Sequence, residues 1–563
     1  MVTFDSSNAT TLAPYLSGKA VAPSSFDAAA LISKIRGLPL GAVVSSTPAV
    51  MDPPSLDPPP DADYPGFSNS NKYRRTIVWV TANDGMLHAI DGRLGIEVWA
   101  YIPFNILPKL KTLADGQPVG KFDYLMDGSP KVADVKVGGA WKTYLITGQG
   151  TAGTFYQAFD VTLPNMSSFA SPTENSITSS LNYFADVSRV QLKWSFPRMS
   201  MFDYTISTTA APYGDIAVGA TSVEKSVGQS WSDPAVGEAV NGSGKFMVVV
   251  GSGFLPYSQQ QGSNRSNVVA GTTLYILDAE TGLAVASKDV GSDGAAETVD
   301  DCAVANNCQI MKNALQADPV ATGPADSRYI NRAYIGDLDG RVWRFNIATD
   351  GVGTPYFTAD PTMLYNASLT GGHGGSKKNG STQPLFSSMA SVTVGATQQY
   401  IFFGTGSDLL PSNGVSQAYQ LIGFLDDGGL GVESFTYSLT AVNNSTANEE
   451  KVTAFPAVAG DIVFFTTTTF KPSTPCILPD ANLYALTYIG GPAYDTTGDD
   501  TVKNNDSTKV STITGKRATA PFVVDQHLIF AAGDKVEMFG DPNDYNNGVG
   551  QVGVRILSWR EVR

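Results

Sequence analysis

The sequence predicts an all-β chain, a seven-bladed β-propeller with long inter-strand loops and a short N-terminal lead-in helix. Three observations predict it. One motif recurs seven times in order along the chain. Strand-type patterning fills nearly all of it, with short helical runs only near the start. Turn chemistry is abundant, with 56 Gly and 33 Pro in 563 residues, while charged residues make up 16% against the roughly 25% of an ordinary globular chain.

The recurring motif opens with a proline followed by apolar residues, at Pro48, Pro130, Pro234, Pro319, Pro384, Pro456 and Pro521, spaced 65 to 104 residues apart. After most of them comes a dense apolar run, as in Ile77-Val78-Trp79-Val80, Tyr144-Leu145-Ile146-Thr147-Gly148, Phe246-Met247-Val248-Val249-Val250-Gly251 and Tyr400-Ile401-Phe402-Phe403-Gly404. An alternating strand follows and often ends at an acidic turn: Leu87 to Asp91, Tyr156 to Asp160, Leu274 to Asp278, Val342 to Asn346, Ile422 to Asp426 and Leu483 to Leu486. Several units continue into a fourth strand through Gly, as at Gly95 and Gly282. A single four-stranded sheet cannot bury both faces, whereas sheets packed in series bury each against the next. The dense strand is expected at the centre of each unit and the alternating strand nearer the edge. The period exceeds the ~40–45 residues of compact propeller repeats, so each unit carries long loops, the largest an insertion at about 161–193.

Residues 1–40 form the lead-in and 41–563 the propeller. Phe26 to Gly37 reads as one short helix, with Asp27 as cap, Leu31 and Ile35 on one face and Gly37 as its end. Residues 52–65, rich in Pro and Asp, read as a loop, and a second short helix is expected near Asn105–Leu113.

Lys plus Arg number 37 and Asp plus Glu 52, a net charge of −15, so the surface repels phosphate backbones and nucleic acid is not expected as a partner. No stretch approaches the ~18 apolar residues of a membrane helix. Met1 to Asp5 has neither the basic start nor the apolar core of a signal peptide. Low Lys and high Ser, Thr and Asn nevertheless fit an extracytoplasmic chain, and the expectation is a piece cut from a longer exported precursor. Cys302 and Cys308, five residues apart in a polar loop, are expected to pair as a disulfide in an oxidising compartment, which leaves Cys476 without an assigned role.

Catalytic apparatus is not expected. His88 lies in an alternating strand and reads as a hydrogen-bonded structural residue, His373 sits in a Gly-rich loop, and His527 reads as a turn residue. The carboxylates of Asn83-Asp84-Gly85 and Asp337-Leu338-Asp339-Gly340 read as hairpin-turn formers. HExxH, GxSxG and P-loop motifs are all absent.

Several segments together resemble the PilY/PilC family. They are Thr81-Ala82-Asn83-Asp84-Gly85-Met86-Leu87-His88-Ala89 with Glu97 to Pro103, Asp127-Gly128-Ser129-Pro130 with Asp134-Val135, Gly336 to Phe345, and Ser558-Trp559-Arg560-Glu561. The resemblance implies a C-terminal propeller of a secreted type IV pilus (fimbrial) tip protein. Its expected roles are in pilus assembly, support of pilus extension against retraction, twitching motility, adhesion, surface sensing and virulence. The partners it implies are minor pilins and the pilus tip complex, an N-terminal region lacking here, and host or abiotic surfaces. The expected location is extracellular, at the pilus tip or cell surface, reached through the periplasm and outer membrane. No Arg-Gly-Asp triplet is present to support an integrin-directed role.

Calcium is the cofactor that the resemblance raises. Where family propellers carry an Asp-rich calcium loop, this chain has Gly323 to Asn331, with Gly323, Ala325 and Ser327 at the alternate ligand positions, and that site is expected to be lost. A second segment, Asp495 to Asp506, resembles a dockerin or EF-hand loop. Side-chain oxygens of Asp495, Thr497, Asp499 and Asp506 stand at positions 1, 3, 5 and 12, and the Thr501 carbonyl at position 7. Thr497, Asp500 and Lys503 depart from that pattern.

The alternatives are a secreted quinoprotein-like enzyme, suggested by the quinoprotein-like blades, and a structural cap without adhesive role. Against the enzyme, only Trp99 and Trp194 stand where quinoprotein propellers dock tryptophans, and adjacent cysteines are absent.

Overall fold

A computed structural model of the chain describes all residues except 19–21, 117–124, 164–176, 187, 199–219, 240–243, 255–269, 291–313, 325–328, 370–371, 373–382, 395–397, 407–417, 440–448, 472–477, 495, 498–501, 525–526, 533–534 and 540–563.

The lead-in helix is Ala28–Arg36. The Asp27 carboxylate accepts the Ala30 N–H at 2.9 Å, and Leu31, Ile32 and Ile35 are buried on one face. A second helix, Ala9–Ser17, was not legible because Pro14 lies inside it; it ends at Gly18, whose φ is 64°. Both pack on a 3₁₀ turn, Leu107–Lys109, and the helix Leu110–Asp115, a few residues later than the expected helix. The Pro- and Asp-rich loop runs into a helix the pattern did not reveal, Tyr64–Asn71. Its Gly, Ser and Asn residues have weak helix propensity, and tertiary contacts hold it instead. The Tyr64 hydroxyl donates to Asp134 Oδ2 at 2.7 Å, while Asp61 accepts from Trp141 Nε1 at 2.9 Å and pairs with Lys136 at 2.7 Å.

The described strands form seven antiparallel sheets. The first is Ala49–Met51, Ile77–Ala82, Met86–Asp91 and Glu97–Tyr101. The second is Pro130–Val137, Ala140–Thr147, Tyr156–Asp160 and Gln191–Phe196. The third has Ala235–Ala239, Phe246–Gly251, Thr273–Asp278 and Ala284–Asp289 in order. The fourth is built on Val320–Thr322, Arg332–Gly336, Arg341–Thr349 and Thr362–Asn366. The fifth is Ala390–Val394, Gln398–Gly404, Gln420–Asp426 and Val432–Ser438. The sixth centres on Ile462–Phe470 and Asp480–Thr487, and the seventh is Phe522–Val524, His527–Ala532 and Lys535–Phe539. The chain divides into two compact units, the first holding sheets one to three and the second sheets four to seven, with residues 347–357 belonging to the first.

Within each unit, side-chain alternation explains the dense apolar runs. In the strand Ala140–Thr147, Leu145 joins Trp79 and Leu87 of the first sheet, while Tyr144 and Ile146 join Val248 and Tyr275 of the third. In the second unit, Ile401 and Phe403 face the fourth sheet with Tyr334 and Val342, and Phe402 faces the sixth with Val463 and Phe465. A strand sandwiched between two sheets needs apolar residues on both faces. The third strand is nearly as enclosed as the second, with five of six residues buried in Thr273–Asp278, which corrects the expectation of an edge-like alternating strand. The edge is the fourth strand, half-buried along Ala284–Asp289.

Pro384 also differs from its expected role. It does not open the first strand of the fifth sheet, which begins at Ala390. Leu385 is instead fully buried, with its N–H donated to the Asp337 carbonyl at 3.1 Å.

The backbone approaches its neighbours closely at the Gly-x-Gly sequence after the second strand of the third sheet. At Gly251-Ser252-Gly253, Ser252 Oγ accepts the Thr273 N–H at 2.8 Å. Gly253 has φ of 73°, and a Cβ there would stand 1.6 Å from the Gln229 carbonyl oxygen.

Candidate functional site

The strand Ile77–Ala82 turns through Asn83-Asp84-Gly85 into Met86–Asp91, placing Asp84 at the hairpin tip and His88 two residues into the returning strand. His88 is 2% exposed. Its Nε2 lies 3.1 Å from Asp84 Oδ1, and its Nδ1 lies 2.5 Å from Glu97 Oε2 on the neighbouring strand. Burial works against charge on the ring, but the hydrogen bonds with Asp84 and Glu97 outweigh it and lift the His88 pKa to about 9. With both ring nitrogens facing carboxylate oxygens, neither offers a lone pair to a metal or a substrate proton.

The chain leaving the lead-in helix is tied to the same end of the sheet. Asp84 Oδ2 accepts the Gly41 N–H at 2.8 Å, the Asn83 N–H donates to the Ala42 carbonyl at 2.9 Å, and Asp127 Oδ1 accepts the Ser45 N–H at 2.7 Å. Burial raises the Asp127 pKa, opposed by the Ser45 N–H. Leu40, Val43 and Val44 of this pinned segment are exposed.

A second acidic turn lies in the other unit. Asp337 Oδ1 accepts the N–H groups of Asp339 and Arg341, and Oδ2 accepts Trp343 Nε1 at 2.9 Å. Asp339 pairs with Arg341 at 2.9 Å. These carboxylates close the hairpin on itself.

Of the expected calcium ligands, Asp495, Asp499 and Thr501 lie outside the described residues. Thr497 is exposed. Asp506 Oδ1 accepts the N–H groups of Thr496 and Thr497 at 2.9 and 3.1 Å, and Oδ2 accepts that of Lys503 at 2.7 Å. These donors, the Lys503 N–H foremost, depress its pKa to about 2. Both oxygens are thus engaged by amide hydrogens, and a cation would have to share them. Among the described residues no cluster of three or more His, Cys, Asp or Glu could hold a metal ion. In the Gly323–Asn331 stretch, residues 325–328 are not described, and Gly323 approaches the Tyr329 carbonyl so closely that a Cβ would lie 1.6 Å from it. Cys302, Cys308, Cys476 and His373 lie outside the described residues, as does the side chain of His527.

The two docking tryptophans serve packing. Trp194 Nε1 donates to the Ala279 carbonyl at 2.9 Å, with its ring against Gly282 in the next sheet's turn. Trp99 stacks on Tyr101 and meets Trp79 edge-on. Sequence reasoning missed the pairing of Asp84 with Gly41, because residues 43 positions apart meet only in the fold.

Residues 40–172 match the family model of the PilY1 beta-propeller domain. The type IV pilus biogenesis factor PilY1 of Pseudomonas aeruginosa is 28% identical over 375 residues, 65% of this chain and 25% of that protein. A PilY1 homolog of Xylella fastidiosa is 38% identical over 104 residues, 18% of this chain and 7% of its own length. The chain thus spans about a quarter, or less, of the curated relatives it matches. The crystal structure of the Pseudomonas aeruginosa PilY1 C-terminal domain superposes with a TM-score of 0.55 at 18% identity, covering 88% of this chain and all of that one. The fold is therefore the mostly-β propeller of the PilY1 C-terminal domain, and the likeness to the PilY/PilC family stands on both sequence and structure.

Proposed function

We propose that this chain, a relative of the PilY1 pilus biogenesis factors, is a non-enzymatic binding module of the type IV pilus. It works at the cell surface, in pilus assembly and extension, and in the attachment and twitching that depend on them. The observation that carries the reading is the match of residues 40–172 to the PilY1 propeller model, together with 28% identity to PilY1 over 375 residues. Among the described residues, the engagement of Asp84, Glu97, Asp337 and Asp506 and of His88 in internal hydrogen bonds supports presentation rather than catalysis. Sheets that bury both faces make a rigid support, and the loops they carry supply contacts to minor pilins or a surface. Calcium at Asp495, Thr497, Asp499, Thr501 and Asp506, and a Cys302–Cys308 bridge, belong to this proposal.

The test is deletion of the chain's coding region, scored for surface pili, twitching and attachment, alongside pull-down of the purified chain with minor pilins with and without EDTA. Lost piliation with minor-pilin capture supports the assembly role. Normal piliation with lost attachment would make it an adhesin alone. Wild-type behaviour in all three assays would reject the proposal.

A further inference from the structure

We propose that Lys509 and Asn482 join in an intramolecular isopeptide bond across the sixth sheet, with Glu450 carrying protons between the two nitrogens. That sheet orders Glu449–Lys451, Ile462–Phe470, Asp480–Thr487 and Lys509–Ile513 side by side. Between its last two strands, Tyr484 pairs with Lys509 and Asn482 with Thr512. Asn482 and Lys509 are therefore diagonal neighbours on one face, a separation that long side chains span. Lys509 Nζ lies over the Tyr484 ring, 5.1 Å from its centre, on that same face.

The carboxylate between them is placed for the chemistry. Glu450 is 1% exposed and Asn482 3%. Glu450 Oε1 accepts Asn482 Nδ2 at 2.9 Å, and Oε2 lies 3.5 Å from Lys509 Nζ. One carboxylate thus touches both the nitrogen that attacks and the nitrogen that leaves. The Thr467 and Tyr484 hydroxyls also donate to Oε1 and fix the carboxylate in place. Asn482 Oδ1 accepts the Thr512 hydroxyl at 2.9 Å, a donor set where negative charge develops when the carboxamide is attacked. Thr469 Oγ1 accepts from Nδ2 at 2.9 Å, so the carboxamide is held at both ends. Holding amine and carboxamide in one network makes the attack unimolecular. The Lys509 side chain is 33% exposed, which gives the leaving group a way out.

The step balances without a further reagent. Lys509 enters as the ammonium and passes one proton to Glu450. The neutral Nζ attacks Cγ of Asn482, and the Cγ–Nδ2 bond breaks. Nδ2 takes the proton held by Glu450 and one from Nζ. The products are a secondary amide and one ammonium ion, with Glu450 again a carboxylate. The new bond fastens the fourth strand of the sixth sheet to the third and closes a covalent ring over residues 482–509.

Mass spectrometry of the reduced, purified full chain tests the bond. Wild type is expected to be lighter than its sequence by one ammonia, with a peptide map showing Lys509 linked to Asn482. Lys509→Arg, which lacks the nucleophile, and Glu450→Gln, which lacks the proton carrier, are expected at full mass. Glu450 is buried and its variant could fail to fold; Lys509→Arg keeps a cation on the part-exposed edge strand and serves as the second control. A wild-type chain at full mass would overturn the proposal. So would an ammonia loss that persists in Lys509→Arg, or a link that forms as completely in Glu450→Gln. None of these measurements depends on the pilus reading.

Discussion

Arg344 Nη1 lies 2.6 Å from Oδ1 of Asp426, and the pair ties the third strand of the fourth sheet to the end of the third strand of the fifth. Both side chains are buried, and Asp426 Oδ2 also accepts the Tyr334 hydroxyl at 2.7 Å. Arg344 reaches past the carboxylate to the Gly428 and Gly429 carbonyls. Removing one partner strands a charge away from water. Asp426→Ala is expected to cost about 3–5 kcal/mol in denaturant unfolding, and the double variant with Arg344→Ala less than the sum of the singles. Additive losses would show that the pair does not couple the sheets.

Glycine 253 separates backbone strain from crowding. Gly253→Ala must place a Cβ where the Gln229 oxygen lies while holding φ at 73°, and a loss above about 3 kcal/mol is expected. Gly244 has φ of 69° with open space around it, so Gly244→Ala is expected to cost only about 1–2 kcal/mol. Equal unfolding midpoints for the two variants would contradict the close approach.

The Asp506 turn has a definite acid limit. Its pKa is depressed from 3.8 to about 2, so its contribution is present above 3.8 and fades as pH falls through 2. Amide exchange at Thr496, Thr497 and Lys503 should stay protected at pH 4 in wild type and lose protection in Asp506→Ala at every pH. Calcium titration of wild type beside Asp499→Ala decides the metal proposal for the same loop, since identical affinities would remove it.

Cysteine chemistry is countable. With Cys302 and Cys308 bridged, thiol labelling of the unfolded, unreduced chain should report one free thiol, Cys476, and three after reduction. Three labels before reduction would remove the bridge.

The order of the sheets was legible in the chain because a strand enclosed on both faces must be apolar at every position, and that demand is written into runs such as Phe246 to Val250. Asp27 as a helix cap was legible for a similar reason, since its bond to Ala30 spans three residues. Pro384 misled because a proline before an apolar residue marks an extended segment without saying whether a partner strand lies beside it. The helix Tyr64–Asn71 was illegible because its support comes from Asp134 and Trp141, about 70 residues away. Likewise the sequence by itself specified strands, turns and a net acidic chain, all set by local pattern and composition. Only the tertiary structure decided that His88 lies between two carboxylates and that Asp84 holds Gly41. Those contacts join residues whose spacing obeys no periodicity, and their strength comes from exclusion of water, which no stretch of sequence has before it packs.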